Sequence, residues 1–323
     1  MRAVRFERFG GPDVLSLVDT PTPAPGPGEV LVRHQAIGVN FIDVYHRNGH
    51  YPRPLPSGLG QEGAGVVEAV GEGVTRVRVG QRVAYAFAGS GSYADMATVP
   101  AERVVPTPSG VSAELAAAAL LKGMTVEYLV RRCFDLQAGQ TALIHAAAGG
   151  VGQLLVQWAK TLGAVVIATV GAESKAEAVR ALGADHVILY RTQDVASEVR
   201  RITGGAGVSV AYDSVGRDTF DATLASLGRR GLFVSFGAAS GPAPAVDPGL
   251  LSRGGSLFFT RPTLGDYVAT TAELDASAAA VFEMIESGRL RIDIGQTFPL
   301  AEAARAHEAL EARTTVGATL LIP

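Results

Sequence analysis

The sequence predicts an α/β protein: a partly open β barrel joined to a doubly wound parallel sheet with helices on both faces. Three observations predict it. An apolar, strand-like run ending at His145 breaks into a small-residue turn, which opens directly into the helix-like stretch from Gln153 to Ala159. From Gln140 onward, strand and helix patterns alternate, as a parallel sheet requires. Before that point, the first hundred or so residues carry short strand signals broken by Gly and Pro.

The elements follow in order. Residues 1–7 read as a strand rather than a signal peptide. Residues 30–33, 65–70 and 81–85 are short β segments, and the Pro-rich stretch 21–28 is a surface crossing between strands. A helical stretch begins near Ser112, with an Ala-rich run over 114–121 and an amphipathic run over 125–134. Strands are then expected at 141–145, 164–169, 185–189, 207–212 and 230–236, with helices at about 151–162, 173–182, 193–203 and 218–227. The apolar run 256–260 reads as an edge strand. After Pro262 the chain is helical over 272–287 and 301–313, and it closes on a strand at 318–321. This tail is expected to return to the first domain. Residues 1–115 and 263–323 would then form a discontinuous barrel-like domain, with 116–262 inserted as the doubly wound domain.

Composition narrows the classes. A chain of 323 residues, 47% hydrophobic and 18% charged, is long enough for a sizeable core and two domains. A net charge of −3 without any basic run argues against nucleic acid. Gly, Arg or Glu interrupts every apolar run before membrane-spanning length. Cys133 is the only cysteine, which excludes an intrachain disulfide and a cysteine-cluster zinc site; beside Phe134 in an amphipathic stretch it reads as a packing residue. A soluble cytoplasmic protein is expected.

The glycine turn points to a dinucleotide. Read strictly it is A-x-G-x-x-G, formed by Ala147, Gly149 and Gly152. In this context Ala148, Gly149, Gly150, Val151 and Gly152 would turn backbone N–H groups toward a pyrophosphate. Gly149 would let the backbone approach the phosphates, and Gly152 would let the helix pack closely on the strand. NAD-specific folds place an acid about 20 residues further on, to hold the ribose hydroxyls. Here the second strand runs into Val170, Gly171 and Ala172 with no acid at its tip. Gly171 leaves room for a phosphate, and Ser174 and Lys175 follow at once. A lysine beside a 2′-phosphate supplies a charge-assisted hydrogen bond of roughly 1.5–3 kcal/mol. Tyr190 and Arg191, past the third strand, offer adenine stacking or further positive charge. An ordinary solvated helix start, with Glu173 opposing any anion, is the alternative. NADPH is the expected cofactor. Ser214 and Gly216 end the fourth strand, and Ser235, Phe236, Gly237 and Ala238 end the fifth, the edge where such sheets bind ligands. Plain βα turns are the alternative there.

Several motifs in one order carry a resemblance. They are residues 38–43, 58–65, 121–125, the turn 146–152, residues 212–216 and residues 234–237. With them the chain is similar to the zinc-free quinone oxidoreductases, the zeta-crystallin-like branch of the medium-chain dehydrogenase/reductase superfamily. The resemblance implies a GroES-like catalytic domain, a Rossmann domain, and NADPH-dependent reduction, by hydride or single-electron transfer, of a quinone held in the interdomain cleft. Zinc alcohol dehydrogenases place a Cys ligand where Asn40 stands and a His ligand where Gln61 stands. Amide side chains are poor zinc ligands, and the six histidines (34, 46, 50, 145, 186 and 307) form no short ligand pair. No metal is expected, so reduction of an already electrophilic acceptor fits better than oxidation of an alcohol.

The resemblance also implies site residues. Such a site holds nicotinamide C4 about 3–3.5 Å from the acceptor and supplies hydrogen-bond donors for the developing oxyanion. Asn40, Tyr45 and Tyr51 lie on the segment that occupies the family's cleft and are the expected donors, with Asp43 orienting that segment. Asn40 as a simple helix cap and Tyr51, before Pro52, as loop packing are the alternatives. Lys122 and Thr125 open the helix into the cofactor domain and are placed near the nicotinamide; solvated surface is the plainer role for a lysine there. Phe259, Thr260, Arg261 and Arg313 complete the expected cofactor contacts, with surface salt bridges the ordinary role for either arginine. Two other functions stay open: an NADPH-dependent enal or enone reductase, and an NADPH-binding structural or regulatory protein with little turnover. A homodimer paired through the 256–260 edge strand is expected.

Overall fold

In the computed structural model, which describes residues 1–89 and 91–323, the alternating region forms one parallel sheet. Its strands run in the order His186–Leu189, Val165–Val170, Thr141–Ile144, Val208–Asp213, Leu227–Ser235 and Phe258–Thr260. The order reverses at Thr141–Ile144, whose neighbours come later in the chain on both sides. That reversal opens a crevice at the carboxyl ends of the strands. The strands read as unbroken apolar runs because both faces are covered: Leu143, Val166, Ile167 and Val210 are fully buried. A core cluster of Leu143, Ile167, Ile188, Val199, Phe220 and Phe233 holds the helices to the sheet.

Three elements differ from the sequence expectation. The strand Leu227–Ser235 starts earlier than 230, directly after the helix Phe220–Ser226. Its opening holds Gly228 and exposed Arg229 and Arg230, which hide the strand pattern, while buried Leu227 anchors it to the core. The edge strand covers only Phe258–Thr260, because Ser256 adopts a positive φ of 57° that no strand accommodates. The Ala-rich and amphipathic runs form a single helix, Ala113–Tyr128, which continues into a π-helical turn, Leu129–Cys133. Lys122 therefore lies well inside this helix rather than at its start.

The chain packs as two compact units, Met1–Met124 with Tyr267–Pro323, and Thr125–Asp266. In the first unit, among the described residues, one sheet runs in the order Ile294–Pro299, Ala318–Ile322, Glu29–Val39, Glu62–Val70, Arg82–Ala86 and Val104–Pro106. Met96–Pro100 also pairs with the long strand Glu29–Val39. A smaller sheet joins Ser16–Asp19, Arg2–Phe6 and Ser57–Gly58. The C-terminal strand lies antiparallel to Glu29–Val39, with Leu320 opposite Gly38, so the tail completes the unit in which the chain began. Val30, Val32, Val67, Val83 and Val104 fill one core, and Phe6, Ile37, Leu59, Leu300 and Leu321 another. Glu29–Val39 leads straight into Asn40 and the helix Phe41–Arg47. No helix of the described residues is long and apolar enough to cross a membrane.

Candidate active site

In the Thr125–Asp266 unit, the helix Gly150–Thr161 starts immediately after Gly149. Its first-turn N–H groups lie beyond the reach of intrahelical carbonyls, which leaves them for a ligand. A Cβ on Gly152 would lie 2.7 Å from Ala147 Cα and collide with Ala146 O, so glycine is obligatory for the helix to seat on its strand. A Cβ on Gly149 would meet only Ala146 O, at 3.3 Å, so that face of the turn is open on the protein side. Ala148 is buried beside them.

The second strand ends in a cationic corner. A Cβ on Gly171 would lie 2.7 Å from Tyr190 Oη and 3.3 Å from Arg191 Nε, so Tyr190 and Arg191 close over the glycine. Burial, and then the Arg191 charge, hold the Lys175 ammonium below its ordinary range. An anion at this corner would relieve the Lys175 ammonium. The carboxylate of Glu173 turns along its own helix to Arg180 at 2.6 Å, and exposed Ser174 sits in the first turn.

The turns after the fourth and fifth strands interlock. Asp213 accepts Val215 N at 2.7 Å and Gly216 N at 3.1 Å on one oxygen, and the Thr219 and Thr223 hydroxyls on the other. Thr223 also meets His145 Nε2 at 2.9 Å, and His145 Nδ1 meets Thr169 at 3.0 Å. Burial holds His145 below its ordinary pKa. This network joins the ends of three strands and sets the turn carrying Ser214 and Gly216. A Cβ on Gly216 would collide with Gly241 O, and one on Gly237 would lie 2.8 Å from Ser214 Cα, so both glycines serve turn-on-turn packing. Ser235 and Ala238 are buried, and Phe236 N donates to Asp213 O at 2.8 Å. Phe259 packs edge-to-face against Phe233 at 5.1 Å, Thr260 is half-buried, and Arg261 donates to Pro262 O at 3.3 Å. Thr125 is buried where this unit begins.

In the other unit, Asn40 occupies the N-cap of the helix Phe41–Arg47. Its backbone N–H donates to Asp43 Oδ2 at 2.9 Å, while its side-chain Nδ2 donates to Glu62 Oε2 at 2.9 Å. Glu62 is fully buried; it also accepts Leu121 N at 2.6 Å and the Lys122 ammonium at 3.2 Å. Asn40, Glu62 and Lys122 are therefore one buried cluster. Burial pushes the Asp43 carboxyl up to about 7, against the lowering influence of Asn40 N–H, Tyr93 and Lys122. Tyr45 is the centre of an aromatic wall, 5.3 Å from Tyr51, 5.2 Å from His50 and 5.4 Å from Phe41. Arg313 adopts a positive φ of 57° just after the helix Ala303–Glu311.

Sequence patterns assign no role to Glu62, Arg47, Tyr93 or His307. Glu62 had one usable signal: it is the single charged residue in the glycine-rich run 58–65. Arg47, Tyr93 and His307 pair across the chain and leave no local signal.

These arrangements have relatives. Residues 26–109 match the family of alcohol dehydrogenase GroES-like domains, and residues 150–279 match the zinc-binding dehydrogenases. Over 323 residues the chain is 51% identical to a quinone oxidoreductase of Pseudomonas aeruginosa, covering 100% of this chain and 99% of that protein. The chain belongs to the quinone oxidoreductase family of the medium-chain dehydrogenases/reductases. The solved structure of the Escherichia coli quinone oxidoreductase complexed with NADPH superposes on it with a TM-score of 0.98 at 46% identity, covering 100% of both chains. A 2-haloacrylate reductase of a Burkholderia species is 44% identical over 332 residues, covering 99% of this chain and 98% of that protein. The Asn40 amide is engaged with Glu62. Among the described residues no group of three or more His, Cys, Asp or Glu side chains is placed to hold a metal ion.

Proposed function

We propose that this protein is an NADPH-dependent quinone oxidoreductase. The observation that carries the reading is the full-length identity of 46–51% with quinone oxidoreductases, which spans every element that bears a candidate site residue. The residues present fit the cofactor: an open glycine turn at a helix start suits a pyrophosphate, and the paired cations Lys175 and Arg191 beside Gly171 suit a 2′-phosphate rather than bare ribose hydroxyls. When bound, NADPH supplies the hydride.

The chain's own residues bind, orient and stabilise. Backbone N–H groups of Gly150, Val151 and Gly152 would donate to the pyrophosphate, with Gly149 and Ala148 shaping the approach. Ser174, Lys175 and Tyr190 close on the adenosine end. Ser214, Gly216, Ser235, Phe236, Gly237 and Ala238 form the strand-end turns for the ribose and nicotinamide, with Thr125, Phe259, Thr260, Arg261 and Arg313 as flanking contacts. Asn40 and the aromatic wall of Tyr45 and Tyr51 receive the planar acceptor. Their N–H and O–H donors meet the negative charge that develops on a quinone oxygen. Lys122, through Glu62, holds the Asn40 amide in place, and Asp43 fixes its backbone. The reduced acceptor takes one further proton to leave as the hydroquinone.

The reading extends to a cytoplasmic homodimer with neither nucleic acid nor membrane as partner. Phe258 supports the dimer: it is 59% exposed on the outermost strand of the parallel sheet, a surface suited to pairing with a second copy.

The test follows NADPH absorbance with 1,4-benzoquinone, a bulky polycyclic quinone and a simple enal, with NADH as control. Quinone-dependent oxidation that prefers NADPH supports the proposal. The identity to a 2-haloacrylate reductase favours a second reading, reduction of an activated alkene, which predicts turnover of the enal alone. Binding of NADPH without turnover of any acceptor overturns both in favour of a binding protein.

A further inference from the structure

Four polar side chains, Asp43, Arg47, Tyr93 and His307, are each no more than 1% exposed in the first unit, inside the core that includes Phe6, Leu59 and Leu300. They form one hydrogen-bonded chain. Asp43 Oδ2 meets Tyr93 Oη at 3.1 Å, Tyr93 Oη meets His307 Nε2 at 3.1 Å, and His307 Nδ1 meets Arg47 Nη1 at 3.1 Å. Arg47 then forks onto both carboxylate oxygens of Glu311 at 2.8 Å and donates to Gly10 O. Asp43 and Arg47 lie four residues apart on one helix, and His307 and Glu311 four apart on another. The two helices are thus tied at two levels. Tyr93 is itself fixed, its backbone bonded to Val4 N and Leu59 O.

The direction of every bond is forced. A guanidinium has no acceptor, so Arg47 donates to His307 Nδ1. His307 Nε2–H then donates to Tyr93 Oη, and the phenol O–H is left to donate to Asp43. Burial holds His307 near 3, which keeps the ring neutral and the tautomer single. All donors point at Asp43, whose same oxygen receives Asn40 N–H. The chain cannot carry a proton to solvent, because it ends on a guanidinium that does not release one. Nor is stability a sufficient reason for it, since apolar packing of equal volume serves as well as buried ionic networks. What the chain provides is a fixed position for the Asp43 carboxylate.

We infer that Tyr93, His307 and Arg47 act as a clamp that positions Asn40 by way of Asp43, which makes Tyr93 and His307 positioning residues of the acceptor site. The inference rests on the reading of Asn40 given under the proposed function. It also predicts a pH signature. Asp43 faces Asn40 N–H, Tyr93, Lys122, Glu62 and Arg53, with burial as the largest influence on its proton. As pH falls through about 7, the carboxylate takes a proton, its hold on Asn40 N–H weakens, and turnover falls.

The experiment compares Tyr93→Phe, His307→Leu, His307→Gln and Asn40→Ala in the full chain, reading kcat, the KM for 1,4-benzoquinone, the Kd for NADPH by fluorescence, and the acid limb of the kcat profile. Tyr93→Phe removes one oxygen and His307→Leu both ring contacts. Each is expected to lower kcat about ten-fold, the loss of one net hydrogen bond, with the NADPH Kd unchanged. In Tyr93→Phe the acid limb moves up by roughly one pH unit, because a donor to the carboxylate is gone. His307→Gln keeps a donor toward Tyr93 and an acceptor for Arg47, and recovers most of the activity. A wild-type kcat and an unmoved limb in Tyr93→Phe, with Asn40→Ala impaired, overturn the clamp and leave the acceptor site standing. Full turnover in Asn40→Ala overturns the acceptor-site reading and the clamp with it.

Discussion

Lys122 Nζ and Asn40 Nδ2 share a single oxygen, Glu62 Oε2, at 3.2 and 2.9 Å, with Glu62 wholly out of solvent and Lys122 4% exposed. An ion pair so deeply buried contributes little net stability against an apolar replacement, but loss of one partner strands a charge. Glu62 gains a third donor from Leu121 N, which compensates its desolvation further. The geometry is that of an orienting device for the Asn40 amide.

Lys122→Met is therefore expected to cost about 3–5 kcal/mol, since Glu62 is left charged and buried. Lys122→Met combined with Glu62→Gln should lose less than the single lysine change, because the stranded charge is gone. Urea unfolding of both single variants and the pair gives the coupling directly. Additive losses would show that the two side chains do not depend on each other.

Much of this was readable in the chain. Unbroken Val- and Ile-rich runs separated by helical periods mark a parallel sheet without any tertiary information, and the turn at Gly149 and Gly152 sits where the pattern puts it. Lys122 and Gly123 lie between the Ala-rich run over 114–121 and the amphipathic run from 125, and the helix Ala113–Tyr128 runs straight through them. The glycine answers packing: a Cβ there would lie 2.6 Å from Val281 Cγ1 on the helix Thr271–Glu286. The lysine answers Glu62, sixty residues away. His307 contacts Arg47 across 260 positions, a distance at which no local period leaves a trace.

Cofactor preference should follow the corner at Gly171. Burial, then the Arg191 charge, disfavours the Lys175 ammonium, which a 2′-phosphate relieves and a ribose hydroxyl does not. Lys175→Ala is expected to lower kcat/KM for NADPH about ten-fold, the low end for a charge-assisted bond because the site is partly solvated. The NADH value should change little. Steady-state kinetics with both cofactors measures the ratio; equal losses for the two would remove Lys175 from phosphate recognition.

The two glycines of the turn should separate by stability. Gly152→Ala drives a methyl into the backbone of Ala146 and Ala147, which has no freedom to yield, whereas Gly149→Ala meets one atom at 3.3 Å. Gly152→Ala is expected to lower the unfolding midpoint by several degrees, a loss of about 2 kcal/mol or more for a strained close approach. Gly149→Ala should keep its midpoint and lose NADPH affinity instead. Thermal unfolding with and without NADPH distinguishes the two, and equal midpoints would refute the packing role of Gly152.

Acid sensitivity should come from histidines held neutral. His34 is buried between Ala94 O at Nδ1 and the Tyr85 hydroxyl at Nε2, both at 2.7 Å, and burial lowers its pKa to about 4. His307 is lowered further, to about 3. Between these values and the ordinary 6.5 the unfolded chain binds more protons than the folded one, so stability falls as pH falls through that window. Asp43 works the other way: its raised carboxyl, about 7 against 3.8, makes the folded state the better proton binder and adds stability as pH drops from 7 to 4. Two buried histidines oppose one carboxyl, so net destabilisation is expected as pH falls toward 4.5. His34→Gln removes that proton uptake and should flatten the fall in urea midpoint between pH 6.5 and 4.5, whatever it costs at pH 7. A variant whose midpoint falls as steeply as the wild type would place the acid-labile protons elsewhere.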